Sequence, residues 1–150
     1  RWLAERDGIG EADIVLVGRS LGGGVMTQIA AEAARALVVE SSFSSMPDVA
    51  SYHYPWLPVH WLLRTRLDSA TAIRDYRGPL LISHGTRDTI VPFQLGQKLF
   101  DAANEPKAFL DLPGLDHNDP QPLAYYERLD AFLETLPPTT RHTAADVQAD

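Results

Sequence analysis

Short apolar runs alternate along this chain with longer stretches in which apolar residues recur at helical spacing. The run at residues 14–17 is unbroken, as expected for a strand that is buried on both faces of a parallel sheet. Three further runs predict strands at residues 36–39, 80–82 and 107–112. Asp111 interrupts the last run, which predicts a strand nearer the edge of the sheet.

Helices are predicted between and after these strands, at residues 21–35, 92–103 and 123–136. In the first helix, Leu21, Val25 and Ile29 recur four residues apart and are expected to form the packed face. In the last helix, the expected apolar stripe consists of Leu123, Tyr126, Leu129, Phe132, Leu133 and Leu136. Two prolines end that helix, and residues 137–150 are predicted to form a disordered tail.

Strands that alternate with helices predict the α/β class, here a doubly wound, mostly parallel sheet with right-handed crossovers. Residues 1–136 are expected to form one domain, whose ligand would bind at the carboxyl ends of the strands. Only the segment at residues 41–76 is too long for a simple crossover, and it predicts two or three short helices that cover something, as a lid does. Its aromatic residues are Phe43, Tyr52, Tyr54, Trp56 and Trp61.

The charge and the composition exclude several classes of protein. A net charge of −7 without any Lys/Arg cluster argues against a nucleic-acid or anionic-membrane surface. The chain has no cysteine, hence no disulfide or thiolate metal site, and no apolar run reaches the roughly 18 residues of a membrane span. We expect a cytoplasmic protein, although the lack of cysteine does not by itself fix the compartment. An upstream signal or membrane anchor stays open, because the sequence starts with Arg1 and reads as a fragment that begins within a domain.

The motif G-x-S-x-G occurs once, as Gly18-Arg19-Ser20-Leu21-Gly22, between a predicted buried strand and a predicted helix. A serine held in a strained turn at that junction requires small neighbours, so that the helix can pack close to the strand. The helix N-terminus directs free N–H groups at the same point, and the N–H of Leu21 would be an oxyanion donor. The alternative is a glycine-rich turn that packs a helix on a sheet or binds an anion without chemistry.

A nucleophilic serine requires a base and an orienting carboxylate. Of the five histidines, His117 is the best candidate base because it lies in a turn-rich loop after the fourth strand, whereas His84 at a strand end suggests a structural role. Asp88 follows the third strand and gives the chain order Ser, Asp, His. Glu40 and Asp116 are the rival acids, and a metal site formed by His84, Asp88, Asp116 and His117 lacks recognisable ligand spacing.

The stretches VLVGRSLGGGV, VVESSFSS, LLISHGTRDTIVPFQLGQKLF and LDLPGLDHND resemble the α/β-hydrolase superfamily, and within it the bud-emergence-type and serine aminopeptidase-like serine hydrolases. The resemblance covers residues 13–136, which would supply the fifth to eighth strands of that fold, with the variable lid between the second and third of these. It implies that Ser20 is the nucleophile, Asp88 the acid and His117 the base, and that Leu21 supplies a backbone oxyanion N–H. The implied activity is cleavage of an ester, thioester or amide through an acyl-enzyme, as in carboxylesterases and thioesterases. It implies a small-molecule or acyl substrate and requires no cofactor.

One departure from the family pattern concerns the second oxyanion donor, which comes from a loop after the family's third strand. The present sequence lacks that loop, and His84-Gly85 is not the corresponding motif. We therefore expect the isolated chain to be nearly inert although its parent is active. Phe43, Tyr54 and Trp56 are the candidate residues of an acyl pocket, although packing alone also explains them. A non-catalytic binding module and a peptidase on the same fold remain the alternatives.

Overall fold

The computed structural model describes residue 10 and residues 13–139, and a parallel sheet forms their centre. Its four strands are β1 (Val15–Arg19), β2 (Ala36–Glu40), β3 (Leu80–Gly85) and β4 (Lys107–Leu112). They lie side by side in chain order, and every neighbouring pair is parallel. The predicted α/β class and parallel sheet are confirmed, and β4, which carries Asp111, lies at one end of the described sheet.

The helices are α1 (Leu21–Ala33), α2 (Met46–His53), α3 (Val59–Leu62), α4 (Ser69–Ala72), α5 (Phe93–Ala102) and α6 (Leu123–Glu134). The three long helices begin and end within about three residues of their predicted bounds. Three short helices, α2 to α4, occupy the segment between β2 and β3. From residue 140 onward the predicted tail lies outside the described residues. No helix among the described residues is long and apolar enough to cross a bilayer.

Successive residues of β2 point to opposite faces of the sheet, and both faces are buried. On one face, Leu37 and Val39 pack with residues of α1 and α5, including Ala30 and Leu99. On the other face, the residues packed on the sheet include Ala36, Val38, Leu81, Phe132 and Leu136. Each fully buried Leu or Phe contributes about 1.5–3 kcal/mol relative to an exposed one, so this double covering fixes the sheet that carries the site.

The predicted packed face of α1 is wrong. Leu21, Val25 and Ile29 are 54%, 44% and 43% exposed. The buried face instead presents Gly23, Gly24, Thr27 and Ala30. The reason is the short distance between α1 and the chain after β2: a Cβ on Gly23 would lie 2.7 Å from the Cβ of Ser42. A helix that packs this closely needs small residues on its contact face, whatever its apolar pattern.

The predicted stripe on α6 is correct only in part. Phe132 and Leu136 are buried and Leu129 packs against them, but Leu123, Tyr126 and Leu133 are exposed. Tyr125, which the stripe omitted, is buried. Its hydroxyl donates a hydrogen bond to Glu40 at the end of β2, a polar contact that an apolar pattern does not predict.

Candidate active site

Ser20 lies alone between the last residue of β1 and the first residue of α1. Its backbone has φ 53° and ψ −121°, in a region that side-chain-bearing residues rarely adopt. A Cβ on Gly18 would lie 2.6 Å from the carbonyl oxygen of Gly22, so the turn requires glycine there. The strained turn is held by two hydrogen bonds: Ser20 N–H donates to the Glu40 carbonyl at 2.9 Å, and Ser42 Oγ donates to the Ser20 carbonyl at 2.9 Å.

Ser20, His117 and Asp88 form a continuous chain of hydrogen bonds. Ser20 Oγ lies 3.1 Å from His117 Nε2, and His117 Nδ1 lies 2.7 Å from Asp88 Oδ2. The three residues follow β1, β4 and β3, whose carboxyl ends meet at one edge because the strands are parallel. His117 and Asp88 are only 6% and 8% exposed. The structure thus brings together the three residues that the sequence singles out.

The Asp88 carboxylate is held on both oxygens. Its Oδ1 accepts the N–H groups of Ile90 at 3.0 Å and Val91 at 2.7 Å, and its Oδ2 faces His117. Burial by itself would raise the pKa of Asp88, but hydrogen bonds from His84, His117 and the Val91 N–H bring that pKa below its ordinary value. Asp88 is therefore ionised at neutral pH and accepts the Nδ1–H of His117, which leaves Nε2 as the basic nitrogen facing Ser20.

The two rival carboxylates make other contacts. Glu40 accepts hydrogen bonds from the hydroxyl of Tyr125 and from Gln121 Nε2 at 3.2 Å. Burial, together with the hydrogen bond to Glu40, raises the pKa of Tyr125. Asp116 accepts the N–H groups of Thr89 at 2.8 Å and of His117 at 2.7 Å, which orders the main chain of the loop. Of these carboxylates, Asp88 is the one hydrogen-bonded to the His117 ring.

Arg19 links the serine turn to the histidine loop, a contact that the sequence analysis missed. Its guanidinium donates hydrogen bonds to the carbonyl of His117 and, at 3.5 Å, to that of Asp119. An arginine beside the serine of the motif is a weak signal, because its partners lie 98 and 100 residues away in the sequence.

His84, for which the sequence suggests a structural role, also lies next to this site: its Nε2 is 3.4 Å from Asp88 Oδ2.

The predicted pocket residues do not form one site: Phe43 lies in the interior, whereas Tyr54 and Trp56 contact each other on the surface. Phe43 is buried at 2% exposure and packs against Gly24 of α1. Tyr54 and Trp56 lie on the surface, 53% and 77% exposed, with their rings edge-to-face at 6.4 Å between centroids. Leu21 opens α1, so its N–H belongs to the first turn, whose donors have no intrahelical acceptor.

The segment that contains α2 to α4 contacts the loop that carries Asp88. His53 Nε2, at the end of α2, lies 2.8 Å from the carbonyl oxygen of Ile90. Asp48 of α2 forms an ion pair with Lys98 of α5, with 2.9 Å between Oδ2 and Nζ.

A cavity of about 320 Å3 lies at the opposite end of the sheet, between Pro79, Pro106 and α6. None of the predicted site residues lines it.

Comparison with known proteins gives relatives that are longer than this chain. It is 38% identical over 139 residues to the uncharacterized protein Rv2307c of Mycobacterium tuberculosis, an alignment that covers 92% of this chain and 50% of the relative. It is 32% identical over 127 residues to the lysophosphatidylserine lipase ABHD12 of Danio rerio, covering 72% of this chain and 33% of that protein. No protein-family model matches the sequence. The chain thus spans half or less of the length of these two relatives.

Solved structures share its fold. The esterase domain of a Rhodothermus marinus protein superposes with a TM-score of 0.55 at 26% identity, over 69% of this chain and 50% of that one. The acetyl xylan esterase of Paenibacillus sp. R4 superposes with a TM-score of 0.73 at 14% identity, over 91% of this chain and 49% of that one. The second likeness, at so low an identity, concerns the fold alone.

Proposed function

Because the chain belongs to the α/β-hydrolase superfamily, we propose that it carries the catalytic residues of a serine hydrolase that cleaves an ester, thioester or related acyl bond. The observation that supports this most directly is the hydrogen-bond chain from Ser20 through His117 to Asp88, with 3.1 Å and 2.7 Å between its heavy atoms. The strained backbone of Ser20 supports it further, since such strain concentrates at functional sites.

In the proposed mechanism, His117 Nε2 accepts the hydroxyl proton as Ser20 Oγ attacks the carbonyl carbon of the substrate. The tetrahedral intermediate collapses, the leaving alcohol or thiol takes the proton from His117, and the acyl group remains on Ser20. His117 then deprotonates a water molecule as it attacks the acyl-enzyme carbonyl. When this second tetrahedral intermediate collapses, His117 returns the proton to Ser20 Oγ and the acid is released. Asp88 accepts the Nδ1–H throughout and stabilises the transient imidazolium.

The oxyanion is proposed to bind the N–H of Leu21, at the N-terminus of α1. A second donor would come from a part of the parent protein that this chain does not contain. Loss of one such donor lowers turnover about 10²–10³-fold, so this chain alone should hydrolyse esters slowly.

We propose a substrate with an acyl chain. Tyr54 and Trp56 offer exposed aromatic surface on the segment that His53 fastens to the Asp88 loop. The relative ABHD12 is named for its action on a lysophospholipid, which belongs to the same acyl-ester class. Rates that do not change across a series of p-nitrophenyl esters from acetate to palmitate would count against a role of Tyr54 and Trp56 in binding an acyl chain.

A fluorophosphonate probe, which reacts with activated serines, tests the nucleophile. We expect one adduct, on the peptide containing Ser20, when the purified chain is labelled at pH 8 and analysed by mass spectrometry. Ser20→Ala should remove the adduct, and His117→Gln should slow its formation at least tenfold while far-UV circular dichroism stays unchanged. Ser42, a buried serine nearby, is the control and should not be labelled. Three results would favour a non-catalytic binding module: an adduct on Ser42, a labelling rate that His117→Gln does not change, or no adduct at all.

A further inference from the structure

His84, in β3, is a fully buried histidine that the proposed mechanism does not use. Its Nε2 lies 2.9 Å from the carbonyl oxygen of Val91. A carbonyl oxygen only accepts hydrogen bonds, so Nε2 carries the hydrogen. The same nitrogen lies 3.4 Å from Asp88 Oδ2, so the His84 N–H that bonds to the Val91 carbonyl also lies next to the carboxylate.

The other ring nitrogen of His84, Nδ1, lies in a space that Gly96 leaves open. Nδ1 has no hydrogen-bond partner among the described residues and faces Gly96 of α5. A Cβ at position 96 would lie 2.2 Å from Nδ1, so glycine there makes room for the ring. The ring also packs edge-to-face on Phe93, with 5.8 Å between centroids. A buried hydrogen on Nδ1 would have no acceptor, which again places the hydrogen on Nε2.

The contacts of His84 close a ring around Asp88. Val91 donates its N–H to Asp88 Oδ1 at 2.7 Å and accepts the hydrogen of His84 on its carbonyl. Asp88 Oδ2 lies between two imidazoles, His117 at 2.7 Å and His84 at 3.4 Å. Rotation of the carboxylate away from His117 would therefore break contacts with both His84 and Val91.

We propose that His84 is a positioning residue: its Nε2–H, bonded to the Val91 carbonyl and 3.4 Å from Asp88 Oδ2, holds Val91 and the carboxylate in the orientation that faces His117. His84 acts through Asp88 and contacts no reacting atom. The proposal rests on the proposed function only in that the Asp88–His117 pair is taken to be catalytic.

Three substitutions separate positioning from packing. His84→Gln keeps an N–H near the Nε2 position, His84→Leu keeps an apolar side chain without a donor, and His84→Asn places its amide near Nδ1, short of Val91 and Asp88. All three are made in the Ser20→Ala chain, so the experiment does not depend on whether Ser20 reacts. The readout is the low-field proton NMR signal of His117 Nδ1–H, assigned by its loss in His117→Gln, and its exchange rate with water.

We expect His84→Leu and His84→Asn to accelerate exchange of this proton about tenfold, the effect of losing one hydrogen bond. His84→Gln should stay within about threefold of the parent. Unfolding midpoints are measured alongside; if His84→Leu does not fold, His84→Asn decides.

A low-field signal that is missing from the parent, or that exchanges at the same rate in every variant, would overturn the proposal. So would equal acceleration in His84→Gln and His84→Asn, which indicates packing alone. A positive result here with no fluorophosphonate labelling would leave the positioning role in place and refute only the proposed hydrolase.

Discussion

Arg19→Met tests whether the contact between the serine turn and the histidine loop matters for reactivity. The substitution keeps an unbranched side chain but removes the hydrogen bonds to the carbonyls of His117 and Asp119. A hydrogen bond from a charged group contributes about 1.5–3 kcal/mol when well shielded. Because Arg19 is exposed, water compensates for part of the lost hydrogen-bond energy, and we expect a net loss of about 1 kcal/mol. If this energy holds His117 next to Ser20, fluorophosphonate labelling should slow about fivefold.

The assay is the second-order rate of Ser20 labelling at pH 8, with amide hydrogen exchange of residues 117–119 measured in parallel. Arg128→Met, which removes an exposed arginine on α6, is the matched control and should leave both quantities unchanged. Arg19→Lys should fall between the parent and Arg19→Met, since an ammonium reaches fewer carbonyls than a guanidinium. A labelling rate in Arg19→Met equal to that of the parent, once the folded fraction is corrected for, would refute the reasoning.

Two further predictions concern stability. Gly23→Ala should lower the free energy of unfolding by about 2–3 kcal/mol, because its Cβ would lie 2.7 Å from Ser42, whereas Gly22→Ala meets nothing within 4 Å and should be neutral or stabilising by about 0.5–1 kcal/mol. Urea denaturation of both variants checks this, and equal losses would show that the close approach of α1 is not the cause. Burial raises the pKa of Tyr76 to about 12. The folded state therefore favours the neutral phenol, and this contribution is complete below pH 10 and is lost as the pH rises to about 12. The stability difference between the parent and Tyr76→Phe should shrink by about 2–3 kcal/mol over that interval in pH-dependent denaturation, and a constant difference would contradict the shift.

The sheet and the three hydrogen-bonded side chains could be predicted from sequence because each depends on a local signal. Unbroken apolar runs identify the strands, and parallel strands bring the residues after them to one edge. The predicted burial on both faces holds for β2 and β3 but is wrong for β1, where Val17 is 54% exposed. Ser20, Asp88 and His117 each follow a strand, so their meeting required only the topology. The serine motif adds its own local requirement, since the turn needs glycine at position 18, where a Cβ would lie 2.6 Å from the Gly22 carbonyl oxygen.

Packing partners that depend on close approach could not be predicted in this way. An apolar pattern predicted Leu21, Val25 and Ile29 as the packed face of α1, whereas small residues made contact instead. The same holds for His84, because its significance depends on the space left by Gly96 and on the carbonyl of Val91. Periodicity reports which side chains avoid water, but not which backbones approach one another.

The proposed mechanism separates two contributions to catalysis that are usually measured together. Ser20, the proposed base His117, the proposed acid Asp88 and the contacts of Arg19 and His84 all lie within the described residues. Activation of Ser20 therefore depends on groups that this chain contains, whereas stabilisation of the oxyanion requires, in our proposal, a second donor from elsewhere in the parent protein. Labelling with fluorophosphonate reports mainly the first contribution, and ester turnover depends on both. We accordingly expect this chain to label at Ser20 at a measurable rate while its turnover remains about 10²–10³-fold below that of the parent.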